Sequence, residues 1–180
     1  INEKTKEVKL ASVYRDTYVQ IQGHGLDKIN HAYSYGEAPL ALGTLNTNLD
    51  LNVKEFVTVN FDAVAEAVDE LGGVQINVEQ NEIEYLNMYQ TETAKVTGKE
   101  IKQVTKSGLQ AVSYGRIRYT AGGDYKRTER MRDVIEAMLK KLQTKSIGEI
   151  NTLLDNILPK IYTNISTGSI ISEIPSITKY

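Results

Sequence analysis

The stretch YGRIRYTAGGDYKRTERMRDVIEAMLKKL, residues 114–142, contains the clearest helical pattern of the chain and most of its arginines. From about Tyr125 to Leu142, apolar residues recur at the spacing of one helix face. They are Met131, Val134, Ile135, Met138, Leu139 and Leu142. Asp124 is the expected N-cap, because its side chain can accept a hydrogen bond from a free amide of the first turn. The stretch therefore predicts an amphipathic helix with an arginine-rich beginning.

Five of the six arginines of the chain lie in this stretch, whereas lysines are spread along the whole sequence. The five are Arg116, Arg118, Arg127, Arg130 and Arg132, and the sixth is Arg15. Extending the apolar stripe of the helix backwards by one turn places Arg127 and Arg130 on its inward face. The same projection places Arg132 on the solvated face. Two guanidinium groups are thus expected to point inward near a helix N-terminus.

The segment YGRIRY, residues 114–119, fits either a short strand or the end of a helix. If it is extended, Tyr114, Arg116 and Arg118 share one face. The glycine turn AGGD would then bring these arginines towards Arg127 and Arg130. In either conformation, the segment lies close in the chain to the predicted helix.

Inward arginines at a helix N-terminus favour an anion site, because free amides and the helix dipole add to their charge. Phosphate or pyrophosphate fits best, since planar guanidinium groups match its oxygens in pairs. The structural alternative is that the arginines form ion pairs within the protein. The acids considered for this are Asp16, Asp62, Asp69 and Asp124.

Composition limits the classes of function. The 180 residues carry a net charge of −2, so one local arginine cluster gives no extended basic track for nucleic acid. The absence of cysteine excludes disulfides, thiolate metal sites and a cysteine nucleophile. We predict a single domain over residues 1–180. Because INEKTKEVKL, residues 1–10, is expected to be a polar turn that leads directly into a strand, we also expect further sequence upstream of it.

The rest of the sequence alternates between strand and helix patterns, which predicts an α/β (α+β) fold. Strands are expected at 8–14, 55–61 and 74–79, and helices at about 39–49, 61–71, 147–161 and 167–174. Asp62 is the expected cap of the helix that begins near residue 61. Residues 79–107 are polar and weakly patterned, so we predict a surface excursion with a short hairpin near residues 95–104.

Five segments, taken in order, resemble the motifs of the LytR–CpsA–Psr family. They are SVYRDTYVQI (12–21), DKINHAYSYG (27–36), NFDAVAEAVDELGGV (60–74), GLQAVSYGRIRY (108–119) and GDYKRTERMRDVI (123–135). The resemblance runs from Ile1 to about Thr144, with a weaker similarity in TNIS at Thr163. The chain departs from the family pattern in having Met131 where glutamine is usual and Tyr14 where proline is common.

The resemblance implies a central mixed β-sheet flanked by helices and a hydrophobic pocket for a polyprenyl chain. It implies transfer of a glycopolymer, such as teichoic acid or capsular polysaccharide, from a polyprenyl-pyrophosphate carrier to peptidoglycan through a new phosphodiester. It also implies Mg²⁺ as cofactor and a location on the outer face of the bacterial cytoplasmic membrane. A membrane anchor and an early strand are expected upstream of Ile1. Two alternatives remain open: a non-catalytic polyprenyl-phosphate-binding module with a regulatory role, and a polyprenyl-pyrophosphate pyrophosphatase.

Matched to the motifs of the family, individual residues receive expected roles. The pyrophosphate-binding residues would be Arg15, Lys28, Arg116, Arg118, Arg127 and Arg130. Arg15, Asp16 and Asp124 would be catalytic, with Asp16 or Asp124 as the general base. Asp124 is also a candidate Mg²⁺ ligand, and further metal-binding aspartates are expected upstream. Asn30 and His31 are expected near the site.

Overall fold

The computed structural model describes residues 5, 9–98, 108–118, 120 and 123–177, and at positions 108, 109, 124 and 173–177 it describes the backbone alone. Internal contacts divide the chain into two compact units. The first comprises Ile1–Leu10, Val59–Ile161 and Thr167–Tyr180, and the second comprises Ala11–Thr58 and Tyr162–Ser166.

The described elements follow one another in the order β1 Tyr18–Ile21, β2 Gly25–Lys28, α1 His31–Leu49, β3 Val57–Thr58, α2 Phe61–Glu70, α3 Ile83–Thr97, α4 Gly108–Arg116, α5 Gly123–Leu142, α6 Ile147–Ile157, β4 Tyr162–Thr163 and α7 Thr167–Ile177. Single 3₁₀ turns precede α3 and follow α6, at Gln80–Glu82 and Leu158–Lys160. Among the described helices, none is both long enough and apolar enough to cross a bilayer.

In the second unit, β1 and β2 form an antiparallel hairpin in which Tyr18 pairs with Lys28 and Ile21 with Gly25. Burial alternates along β1, so Val19 and Ile21 face a small core that is completed by α1. The core also contains Ile29, Ala32, Leu40, Ala41 and Leu45. Strand β1 therefore has one face buried and one face in solvent, whereas β2 is exposed along most of its length.

Helix α1 changes direction at Gly36 and Glu37, whose backbone angles are not helical. Pro39 is the second residue after this kink, in the first turn of α1's second half, where its missing amide hydrogen costs little. The predicted helix beginning at Pro39 thus corresponds to the second half of α1. The first half adds a turn and a half that the leucine spacing did not predict.

The short strands β3 and β4 pair antiparallel, with Val57 opposite Thr163. Asn164 extends the pairing through its side chain, since its Oδ1 accepts from the Phe56 amide at 3.0 Å and its Nδ2 donates to the Lys54 carbonyl at 2.8 Å. The TNIS segment therefore pairs with a stretch that lies more than a hundred residues earlier in the chain.

The first unit is built around α4, which packs against α2, α3 and α5. Its main core contains Val68, Val74, Leu86, Tyr89, Ala111, Tyr114, Ile117 and Val134. Helix α6 packs against α2. A capping box starts α6, because the Ser146 hydroxyl accepts from the Glu149 amide while the Glu149 carboxylate accepts from the Ser146 amide.

A buried ion pair between Arg130 of α5 and Glu82 lies within this unit. The Nε and Nη2 atoms of Arg130 lie 2.7 Å and 2.6 Å from Oε1 of Glu82, and the two side chains are 3% and 6% exposed. Nη1 donates to the Ile117 carbonyl at 3.0 Å, and Nη2 donates to the Thr120 hydroxyl. Oε2 of Glu82 accepts from the Glu79 amide at 2.9 Å. Both charges are therefore well compensated by hydrogen bonds inside the protein.

The α+β class is confirmed, but the described strands form two separate antiparallel pairs rather than a central mixed sheet. Residues 9–14 and 74–79 form no regular strand, so these two predictions were wrong. The alternation at 74–79 has another cause: Val74, Ile76 and Val78 pack against the helical core as irregular chain. The N-cap of α2 is Asn60 and not Asp62, because Oδ1 of Asn60 accepts a hydrogen bond from the Ala63 amide at 2.8 Å.

The predicted surface excursion at 79–107 was also wrong for the part that the structure describes. Residues Ile83–Thr97 form α3, whose buried face includes Leu86, Tyr89, Gln90 and Thr93. Half of that face is polar, which weakens the hydrophobic period on which the prediction depended. The proposed hairpin near residues 95–104 falls partly on α3 and otherwise lies outside the described residues.

The buried ion pair of Arg130 and Glu82 is expected to contribute strongly to stability. Glu82→Ala should lower the free energy of unfolding by about 3–5 kcal/mol, because it leaves the Arg130 charge buried without its partner. The matched control is Glu92→Gln, which breaks an exposed pair with Arg116 and should cost less than about 1 kcal/mol. Urea unfolding followed by circular dichroism measures both. Equal costs for the two variants would contradict the assigned role of the buried pair.

Candidate functional site

A cleft of about 750 Å³ opens in the first unit where α2, α3, α4 and α5 meet. Its lining residues are Phe61, Met88, Tyr89, Glu92, Gly115, Arg116, Arg118, Arg127 and Met131. Three of the arginines singled out in the sequence therefore line one cavity. The rest of the lining is mostly apolar, so basic and hydrophobic surfaces adjoin within the same cleft.

Arg116 is the last residue of α4, and it is held on its buried side. Its Nη1 donates to the Thr93 hydroxyl at 2.9 Å, and its guanidinium carbon lies 5.0 Å and 5.4 Å from the ring centres of Phe61 and Tyr89. On the solvent side, Nη2 lies 3.4 Å from a carboxylate oxygen of the half-exposed Glu92. The strong contacts of Arg116 thus lie beneath it, and the weak contact lies at the surface of the cleft.

Arg118 and Arg127 complete the basic lining from two neighbouring segments. Arg118 is exposed and follows the end of α4, and Arg127 is half-buried in the second turn of α5. Because YGRIRY ends a helix, the three arginines meet through a helix end and a helix beginning, and no strand is involved. The positive end of the α5 dipole adds to the potential near Arg127.

The close approach of α4 and α5 shapes the apolar wall of the cleft. A Cβ atom at Gly115 would lie 2.3 Å from the Met131 sulfur, far inside van der Waals contact. The absence of a side chain at Gly115 therefore allows Met131 to cover this point of α4. Together with Met88 and Phe61, the thioether of Met131 provides apolar surface beside the arginines.

Arg127 and Arg130 both point inward, as the helix projection predicted, but they reach different surroundings. Arg127 lines the cleft, whereas Arg130 is buried and paired with Glu82. The structural alternative is thus realised at Arg130, with an acid that was not among the four considered. Arg132 is absent from the residues that line the cleft. The side chain of Asp124, which belongs to the first turn of α5, lies outside the described residues.

In the second unit, the RDT and KIN motifs lie side by side. The Asn30 amide donates to the Arg15 carbonyl at 3.1 Å, and the Ile29 amide donates to the Thr17 carbonyl at 2.8 Å. Asp16 consequently lies 3.2 Å from the Lys28 ammonium and 3.7 Å from the Arg15 guanidinium. The structure brings these three predicted site residues together as an exposed ionic cluster.

Next to this cluster, Asp27 accepts hydrogen bonds from three groups. His31 Nδ1 and the Tyr35 hydroxyl lie 2.9 Å and 2.7 Å from its Oδ2, and the Lys28 amide lies 2.7 Å from its Oδ1. These bonds, with His31 first and Tyr35 second, lower the pKa of Asp27 to about 2. Tyr35 also stacks on His24 at 4.2 Å. Sequence reasoning missed Asp27 and Tyr35, although the spacing of residues 27, 31 and 35 was a usable signal.

The described residues offer few ligands for a magnesium ion. Within them, no three histidine, aspartate or glutamate side chains lie close enough together to hold a metal. Glu92 is the one carboxylate among the described residues of the cleft lining, and Asp16 is already paired with Lys28 and Arg15. These residues by themselves therefore do not form a Mg²⁺ site.

Comparison with known proteins gives consistent results. The family model described as the LytR_cpsA_psr family matches residues 1–179. The chain is 35% identical, over 92% of its length, to the polyisoprenyl-teichoic acid–peptidoglycan teichoic acid transferase TagU of Enterococcus faecalis, of which it covers 52%. The chain thus spans about half the length of this curated relative.

Solved structures show the same similarity. The crystal structure of Bacillus subtilis TagT superposes with a TM-score of 0.76 at 32% identity, over 98% of this chain and 65% of that one. The structure described as TagT bound to LIIa-WTA superposes with a TM-score of 0.73 at 33% identity, over 93% of this chain and 62% of that one.

The hydrogen bonds to Asp27 can be tested by titration. His31→Ala should raise the pKa of Asp27 from about 2 towards the ordinary value of 3.8, and Tyr35→Phe should raise it less. Because the folded-state pKa is depressed, the stability that Asp27 contributes is present above pH 4 and is lost as the pH falls towards 2. Carboxyl-carbon NMR titration measures the pKa values. A larger shift in Tyr35→Phe than in His31→Ala would contradict this order of causes.

Proposed function

The chain belongs to the LytR–CpsA–Psr family, and we propose that it transfers a glycopolymer from a polyprenyl-pyrophosphate carrier to peptidoglycan. The observation that carries the proposal is the cleft in which Arg116, Arg118 and Arg127 adjoin an apolar wall. Such a site suits a ligand that joins a highly charged anion to a hydrocarbon chain. A polyprenyl diphosphate combines these two parts in one molecule.

The charge of the cleft supports binding of a diphosphate. Three guanidinium groups and one carboxylate line it, which leaves an excess of two positive charges among the described lining residues. Guanidinium groups pair with phosphate oxygens through two parallel N–H bonds, which adds geometric selectivity to the attraction. A monoanion would balance half of this excess, whereas a glycan-linked diphosphate carries two negative charges and would balance all of it.

The apolar lining supports a lipid carrier rather than a nucleotide or a free sugar phosphate. Phe61, Met88, Tyr89 and Met131 surround the arginines with hydrocarbon, aromatic and thioether surface. Burial of isoprene units against such surface is favourable in proportion to the area removed from water. We propose that the first isoprene units next to the diphosphate occupy this wall.

We propose a teichoic acid or a capsular polysaccharide as the glycopolymer. Similarity to the teichoic acid transferase TagU of E. faecalis and to the structure described as TagT bound to LIIa-WTA supports this substrate class. The proposed location is the outer face of the bacterial cytoplasmic membrane, where a lipid-linked polymer meets peptidoglycan.

In the proposed reaction, a hydroxyl of peptidoglycan attacks the glycan-side phosphorus of the carrier. A new P–O bond forms to the acceptor, the bond from that phosphorus to the bridging oxygen breaks, and polyprenyl phosphate leaves with the electron pair. The cleft arginines would neutralise the charge that grows on the leaving phosphate. The proton of the hydroxyl passes to a general base, for which Asp16 and Asp124 stay the predicted candidates.

Mg²⁺ belongs to the proposal as the expected cofactor of this family, although the described residues alone do not form its site. No step above depends on it. Transfer measured in EDTA, with and without added Mg²⁺, tests this part separately. Full activity in EDTA would remove the metal from the proposal and leave the arginine cleft intact.

Substitution of the cleft arginines tests the proposed site. Arg118→Ala and Arg127→Ala should each lower transfer by roughly a hundredfold or more, because positive charge beside a transferred phosphoryl group is lost. Arg132→Ala is the matched control on α5, since Arg132 does not line the cleft, and it should transfer within twofold of the parent. Release of polyprenyl phosphate and attachment of glycan to peptidoglycan are measured together. Normal transfer by both cleft variants would refute the site.

The same assay separates the two alternative functions. A binding module would retain the lipid diphosphate in native mass spectrometry and release no polyprenyl phosphate. A pyrophosphatase would release polyprenyl phosphate equally well without peptidoglycan. A transferase should require the acceptor for rapid release, and Arg127→Ala should retain less of the lipid than the parent does.

A further inference from the structure

Thr93 of α3 lies directly beneath Arg116 and is fully buried. Its hydroxyl donates to the Tyr89 carbonyl at 2.7 Å, which commits its single proton. The two lone pairs of the hydroxyl oxygen accept hydrogen bonds from Arg116 Nη1 at 2.9 Å and from the Ser113 hydroxyl at 3.3 Å. Because its proton is committed to the Tyr89 carbonyl, the buried Thr93 oxygen acts as a hydrogen-bond acceptor towards Arg116.

The contacts of Arg116 differ in strength between its two sides. On the core side, it has the buried Thr93 hydroxyl and the faces of Phe61 and Tyr89. On the cleft side, it has Glu92, whose side chain is 53% exposed and whose oxygen lies 3.4 Å away. An exposed pair of this length is weak, so an incoming anion can displace Glu92 without moving the guanidinium.

We propose that Thr93 is a positioning residue, which holds the Arg116 guanidinium so that its outer nitrogen faces the diphosphate. This inference rests on the proposed function, because it assigns Thr93 a role through Arg116. An arginine side chain loses considerable rotational freedom when it is immobilised by a ligand. A buried hydroxyl that fixes one nitrogen in advance reduces that loss at the moment of binding.

Isothermal titration with geranylgeranyl diphosphate tests the inference. Thr93→Val keeps the shape of the side chain and removes the acceptor, and it should weaken binding about tenfold. Thr93→Ser keeps the hydroxyl and should bind within about twofold of the parent.

A double-mutant cycle distinguishes positioning from a general effect on the fold. In an Arg116→Ala background, Thr93→Val should cause no further loss of affinity, because the residue through which it acts is gone. Losses that multiply in the double variant would overturn the inference, as would equal weakening by Thr93→Ser and Thr93→Val. If Thr93→Val does not fold by circular dichroism, Thr93→Ala replaces it in the cycle with the same expected outcomes.

The cycle also keeps the two proposals apart. If Arg116→Ala weakens binding while the Thr93 effects prove independent, the inference about Thr93 alone fails. If the parent does not bind geranylgeranyl diphosphate, or if Arg116→Ala binds it as the parent does, the proposed diphosphate site at Arg116 is itself wrong.

Discussion

The buried ion pair of Arg130 and Glu82 joins the three segments that carry the cleft. Glu82 directly precedes α3, Ile117 and Thr120 follow α4, and Arg130 belongs to α5. Separating any of these segments would leave a charge or a strong donor without a partner in the core, which is costly. Because α3, α4 and α5 supply most of the lining, the positions of Arg116 and Arg127 depend on a contact that lies outside the cleft.

Two arginines three residues apart on α5 thus have different tasks. Arg130 is neutralised inside the protein, and Arg127 contributes charge to a cavity. The sequence predicted the inward direction of both, because direction follows from helical spacing alone. It could not predict which one meets an acid, since Glu82 lies 48 residues away in a region without clear apolar period. The partner of a buried charge is a tertiary property, and local patterns carry little information about it.

The helices and strands likewise divide into those that a local sequence pattern predicts and those that depend on distant contacts. Helices α5 and α6 were predictable because their apolar residues recur at helical spacing, and α6 also begins with a capping box. Helix α3 was missed because Gln90 and Thr93 occupy part of its buried face. The pairing of β3 with β4 depends on residues such as Phe56 and Asn164, which are distant in sequence. In the second unit, the hairpin sets the RDT and KIN motifs side by side, and only its register explains why Asp16 meets Lys28.

The contact between Gly115 and Met131 has a consequence for how related sequences can diverge. The missing Cβ at position 115 and the sulfur at position 131 occupy the same space, so the two positions are sterically coupled across the α4–α5 interface. A lineage that acquires a larger residue at 115 must move or shorten the side chain at 131, and in doing so it reshapes the apolar wall of the cleft. Substitution at one backbone position could therefore alter the width of the cavity during evolution while every arginine stays in place.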